Sequence, residues 1–245
     1  MYCVSPAFSY PNAGFSAPVW NKTIEKRRKR DKNMSEQKIP DSQLRETFVS
    51  SEEIYPGKII RVEKWQVALP NGDSALREIV RHNGASAIVP VDDAGMVTMV
   101  RQHRVAIDKC TWEIPAGKLD SLTEDPFDAA KRELEEETGL QAEHWQKLTS
   151  MYTTPGFCNE KIAIYLATGL SQHPSHPDAD EFLRIKKIPL DDAIAQCVSG
   201  EIQDGKTLVG LLLARQVLSQ RDMPMIGAGA SVPRYNAVCA PREAK

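Results

Sequence analysis

The chain has 245 residues, 41% of them apolar and 26% charged, with a formal net charge of −2. This is the composition of an ordinary soluble globular protein, and no apolar run approaches the length of a membrane span, so no membrane partner is expected. Five cysteines, Cys3, Cys110, Cys158, Cys197 and Cys239, form no CxxC pair and follow no secretion signal; neither a zinc site nor a disulfide framework is suggested, and a reducing, cytoplasmic compartment is the default.

Residues 1–33 carry seven Lys/Arg against two Asp/Glu, with Lys26-Arg27-Arg28-Lys29-Arg30 as one run. Such a run suits a nucleic-acid contact or a targeting segment. No repeat or amphipathic period supports either, so residues 1–44 are read as a disordered basic leader, with Met34 as an alternative start, and no nucleic-acid partner is expected. The folded part begins near Arg45. Lys58 to Leu69 and Ser74 to His82 are strand-like runs joined at Asn71-Gly72, a strong hairpin signal, and they define an N-terminal β-hairpin subdomain over 45–83. Ala85 to Val91 and Met96 to His103 read as a second pair, joined across Asp92-Asp93-Ala94-Gly95. A strand from Thr111 leads to Pro115-Ala116-Gly117.

The helix that follows has both ends written locally: Asp125 can cap it, Pro126 opens it and Gly139 closes it. Phe127, Ala130 and Leu134 form its apolar stripe. Glu133, Glu136 and Glu137 share another face, where like charges repel unless something positive lies between them. Arg132 is a partner for one; a hard divalent cation would satisfy all three. Beyond the helix, Lys147 to Thr153 and Lys161 to Thr168 read as strands, Leu190 to Val198 as a short helix and Lys206 to Gln220 as an apolar one. The expectation is an α/β domain of strands with helices on their faces over 84–220, then a C-terminal tail over 221–245.

The spacing Gly117, Glu124, Arg132-Glu133-Leu134, Glu136-Glu137, Gly139-Leu140 resembles the Nudix box, the signature of hydrolases that cleave nucleoside diphosphates linked to another moiety. From Glu124 to Leu140 the match is residue for residue; six residues separate Gly117 from Glu124 where that family has five. The runs YPGKIIRVEKWQVALPNG, REIVRHNGASAIVPV, VRQHR, WEIPAGKLD, YTTPGF and DEFLRIKKIPLDDA resemble the ADP-ribose pyrophosphatase subfamily over residues 45–220, with Pro155 sixteen residues past Gly139 as in that subfamily. The resemblance implies a Nudix α/β/α sandwich and a Mg²⁺-dependent hydrolase (Mn²⁺ being possible) that splits ADP-ribose, or a related ADP-sugar, into AMP and a sugar phosphate. Alternatives are a Nudix hydrolase of another nucleotide sugar or of an oxidised nucleoside triphosphate, or a non-catalytic nucleotide-sensing module.

What the resemblance implies for single residues is as follows. Glu133, Glu136 and Glu137, with the carbonyl of Ala116, would hold the metal, and Glu136 also counts as catalytic. Glu181 is the candidate general base, with Asp178 and Asp180 as rivals. Arg77 and Arg104 would clamp phosphates, Arg101 less so, and Trp65 would stack on adenine. A homodimer is implied as well, in which the N-terminal hairpin reaches the partner's adenine pocket and carries Trp65 and Arg77 with it.

Overall fold

The computed structural model describes residues 40–174 and 182–221. Its contacts divide the chain into two units, residues 1–47 with 68–74 and residues 48–67 with 75–245. In the first, Asp41–Gln43 form a single 3-10 turn, and Leu69 and Asp73 close a tight loop in which the Leu69 N–H donates to the Asp73 carbonyl at 2.7 Å. Gly72 takes φ +90° there, which a residue with a Cβ rarely adopts.

In chain order the strands are β1 (Thr47–Pro56), β2 (Ile60–Ala68), β3 (Ser74–His82), β4 (Ala85–Pro90), β5 (Met96–Arg104), β6 (Lys109–Glu113), β7 (Ala116–Lys118), β8 (Leu140–Tyr152), β9 (Lys161–Gln172) and β10 (Arg184–Pro189). The helices are α1 (Pro126–Thr138), α2 (Leu190–Ser199) and α3 (Gly205–Arg221). They build three sheets, ordered β1-β2-β3, β10-β5-β6 and β7-β4-β9-β8.

The last of these is the centre of the fold. β4 runs parallel to β9, so both are strands with two covered faces. Ala87, Val89 and Val91 look to one side, where Ile162, Ile164 and Leu166 of β9 meet Leu190 and Ala193 of α2 and Leu211 and Ala214 of α3. Ile88 looks to the other, where Ala163, Tyr165 and Ala167 meet Ala130 and Leu134 of α1. Helices on both faces make the α/β/α sandwich that was expected. Gly210 allows α3 to press close, since a Cβ there would lie 2.9 Å from Ile114 Cδ1 and 3.0 Å from Val89 Cγ2.

Three sequence expectations are corrected. The N-terminal element is a three-stranded sheet, with β1 as the strand that the hairpin reading omitted. β4 and β5 share only the Val91↔Val97 bridge and then enter different sheets, β5 pairing with β6 and β10. β8 starts at Leu140, directly after α1, because it pairs with β9 along almost its whole length. Among the described residues no helix is long and apolar enough to cross a membrane.

Candidate active site

Helix α1 forms as its sequence dictates. Asp125 accepts the Phe127 N–H at 2.7 Å, Pro126 is the first residue, and Gly139, at φ 67°, donates to the Glu135 carbonyl at 2.8 Å. Phe127 packs edge-on against Trp145, with centroids 5.4 Å apart. The Ser86 hydroxyl donates to the Pro126 carbonyl at 2.5 Å and ties the start of α1 to β4. The opposite face of the helix is thereby turned to β7.

On that face Glu133 and Glu137 are only 7% and 3% exposed, and buried carboxylates demand partners. Glu137 Oε2 accepts the Ala116 N–H at 3.1 Å. Glu133 enters the space that Gly117 leaves open, where a Cβ would lie 1.9 Å from its Oε1. Arg132 Nη1 donates to Glu133 Oε1 at 2.8 Å and to Glu136 Oε2 at 3.0 Å, while Nη2 reaches Glu124 Oε1 at 3.3 Å. Burial opposes the charge on Arg132, but these carboxylates outweigh it and push its pKa up. Glu124 is anchored despite the extra residue before it, because its Oε2 accepts the Asp120 N–H at 2.6 Å.

A second group of charges is paired around Glu113. Arg104 donates from Nε to Glu113 Oε1 at 2.8 Å and from Nη2 to Glu113 Oε2 at 2.6 Å, and Lys206 Nζ also bonds Glu113 Oε2. Glu113 is 1% exposed. Burial would raise its pKa, yet Arg104, Lys206 and the Thr111 hydroxyl lower it to about 2. Lys206 is placed by the start of α3, where Asp204 accepts from Lys206 Nζ at 3.1 Å, the Thr207 N–H at 3.0 Å and the Thr207 hydroxyl at 2.6 Å. A third side carries His82, whose Nδ1 accepts the Gly84 N–H at 2.9 Å, and Glu160, which accepts the Thr153 hydroxyl at 2.8 Å.

These walls enclose a cavity of about 520 Å³. Of the residues singled out in the sequence, Ala116, Glu133, Glu136, Glu137 and Arg104 line it. Trp65 and Arg77 are not among the lining residues. Trp65 packs edge-on against Phe48 at 5.0 Å and donates from Nε1 to Glu63 Oε2 at 2.6 Å; Arg77 Nη1 donates to the Leu76 carbonyl at 2.9 Å. Arg101 lies over the Trp112 ring at 5.6 Å. Asp178, Asp180 and Glu181 lie outside the described residues. Arg104 differs from the bidentate phosphate clamp expected of it, since its Nε and Nη2 edge is already taken by Glu113. Sequence reasoning missed Glu113, Lys206, Asp204 and Glu160. Lys206 at the first turn of an apolar helix, beside Asp204, was the available signal.

As they stand, no three acidic, histidine or cysteine side chains among the described residues are grouped so as to hold an ion, and Arg132 bridges Glu133 and Glu136. The donor set still fits a hard divalent cation: Glu133, Glu136 and Glu137 offer oxygen ligands at one polar wall, beside backbone that Gly117 keeps clear.

A family model described as the NUDIX domain matches residues 80–208. An ADP-ribose pyrophosphatase of Bacillus subtilis is 42% identical over 166 residues, covering 67% of this chain and 89% of that protein. A methanol dehydrogenase activator of Bacillus methanolicus is 40% identical over 168 residues, covering 68% and 90%. The crystal structure of an ADP compounds hydrolase superposes with a TM-score of 0.66 at 23% identity, covering 73% of this chain and 96% of that one, and shows the shared fold. With its box on α1, its glycine against Glu133 and the match across more than half its length, the chain belongs to the NUDIX domain family.

Proposed function

We propose that the protein is a hydrolase, dependent on a divalent cation, that splits the pyrophosphate of ADP-ribose or a related ADP-sugar into AMP and a sugar phosphate. The observation that carries this reading is one cavity lined both by Glu133, Glu136 and Glu137 and by Arg104 and Lys206. A pyrophosphate repels a nucleophile until its charge is neutralised from both sides. The choice of ADP-ribose rests on the similarity to the Bacillus subtilis relative.

Mg²⁺, with Mn²⁺ as the alternative, is the cation we assign to Glu133, Glu136, Glu137 and the Ala116 carbonyl; when bound it supplies charge neutralisation and an acidified water. Arg132 restrains Glu133 and Glu136. Arg104, its plane set by Glu113, presents Nη1 to a phosphate oxygen. Glu181 takes the proton from the attacking water, and Glu136 is the second candidate for that role.

The reading extends to a cytoplasmic homodimer. The β1-β2-β3 sheet exposes Phe48, Val49, Ile54 and Tyr55, and a second cavity of about 500 Å³ opens among Ile54, Val62, Val80 and Phe157. A second copy covering this surface would bring Trp65 and Arg77 to the partner's cavity.

A sensing module on the same fold is the second reading, since fold does not fix function; the retained Glu133, Glu136 and Glu137 favour the enzyme. Assaying AMP release from a panel of nucleoside diphosphate sugars, with Mg²⁺ and Mn²⁺ in turn, decides between them. Release from ADP-ribose with either metal is expected. Tight binding without release from any member of the panel would favour the sensor.

A further inference from the structure

We propose that Lys206 is a positioning residue for the substrate's phosphates, acting through buried Glu113 to hold the Arg104 guanidinium in one plane; the inference rests on the reading that a pyrophosphate occupies this cavity.

Glu113 is saturated. Its Oε1 accepts from Arg104 Nε and the Thr111 hydroxyl, and its Oε2 accepts from Arg104 Nη2 and Lys206 Nζ; a carboxylate has about four lone-pair sites. With all four used, the carboxylate cannot rotate without breaking a charge-assisted bond in a buried place. Arg104, whose side chain is 43% exposed, therefore meets its ligand with one edge already locked, and loses less side-chain freedom on binding than an unrestrained arginine would.

Lys206 is the member that ties this lock to the scaffold. Its side chain is 10% exposed and is shared between Glu113 and Asp204, and Asp204 in turn bonds the first turn of α3 through Thr207. The Thr207 hydroxyl accepts the Ile114 N–H at 3.0 Å, next in sequence to Glu113. Helix and strand are thus connected twice, once through Thr207 and once through Lys206. Without Lys206, Oε2 keeps only Arg104, and Glu113 loses its side-chain tie to the start of α3. This weakens phosphate binding through Arg104 itself.

A double-mutant cycle tests this with the full chain. Lys206→Met, Arg104→Met and the double variant are measured twice: Kd for ADP-ribose with chelator present, so that nothing is turned over, and KM and kcat for ADP-ribose with Mg²⁺. Lys206→Met is expected to raise Kd and KM about tenfold, a loss of about 1.4 kcal/mol, with a smaller effect on kcat than on KM. Arg104→Met should cost about thirtyfold, and the double variant should fall within threefold of Arg104→Met because the two act as one unit. Lys206→Arg should restore affinity to within threefold. Losses that multiply in the double variant would overturn the proposal, as would an unchanged Kd and KM in Lys206→Met. Lys206→Ala, which likewise removes every donor to Glu113, carries the same cycle if Lys206→Met is insoluble. A wild type that binds ADP-ribose without cleaving it removes the hydrolase reading while leaving the cycle readable in Kd, and one that does not bind it removes both.

Discussion

Gly117 and Glu133 share one space: a Cβ built on Gly117 would lie 1.9 Å from Glu133 Oε1 and 2.0 Å from its Cδ. Gly117 is not among the glycines with positive φ, so alanine can adopt its backbone conformation. What must move is the far end of a flexible glutamate. Gly117→Ala is therefore expected to keep its thermal midpoint within about 3 °C of wild type while turnover falls more than about 100-fold. Paired melting and steady-state assays check this, and near-wild-type turnover would detach Glu133 from the chemistry.

Glu137→Gln keeps an oxygen to accept the Ala116 N–H but removes the charge. Turnover at saturating Mg²⁺ should drop by at least about 100-fold, with the fold intact. Glu133→Gln should behave alike, and chelation of the wild type should abolish activity. A purified, folded Glu137→Gln with normal turnover would mean that the acidic face of α1 is not the metal site.

For Glu181→Gln, the expectation is a loss of roughly 10²–10⁴-fold in kcat, the range for a general base, with KM little changed. The pH profile of kcat should lose its acidic limb in the variant. A loss below about tenfold would pass the role to Asp178, Asp180 or Glu136.

Glu113 predicts an acid limb in stability. Its folded pKa is lowered from 4.5 to about 2 by Arg104, Lys206 and Thr111 against the opposing effect of burial. A depressed carboxylate contributes stability that is present above its unfolded pKa and lost as pH falls through the folded one. Thermal midpoints measured from pH 6 down to 2 should therefore decline for wild type across the window from about 4.5 to 2. Glu113→Gln should start lower and decline less across that window. Parallel declines would assign the acid sensitivity to other groups.

Light scattering on a chain starting at Met34 tests assembly. A dimer at micromolar concentration is expected, and Phe48→Glu on the exposed β1-β2-β3 sheet should shift it toward monomer and raise KM through the displaced Trp65 and Arg77. A fully active wild-type monomer would rule out a shared site.

How much of this was legible beforehand differs from element to element. α1 was read with both termini because Asp125, Pro126 and Gly139 act within a turn of the residues they cap. β1 and β10 escaped, since TFVSSEEIYP and RIKKIP carry weak patterns of their own; β10 is a strand because it pairs with β5 from Arg184↔Arg101 to Pro189↔Met96. The Asp92–Gly95 turn was correctly located, as the Gly95 N–H to Asp92 carbonyl bond of 2.9 Å attests, yet a local turn does not decide which sheet each flanking strand will join.

The same division runs through the site. The sequence by itself determined the acidic face of α1, both ends of that helix and the family, because these depend on spacings of a few residues along one helix and its preceding loop. Only the tertiary structure decided what faces that helix. Glu113 and Lys206 are 93 residues apart in the chain, and no local period links them; they meet because β6 and the first turn of α3 both end at the same cavity. The partnership of Arg132 with Glu124, Glu133 and Glu136, and the locking of Arg104 by Glu113, follow from side chains competing for the same few oxygens in a confined space, which only the folded packing defines.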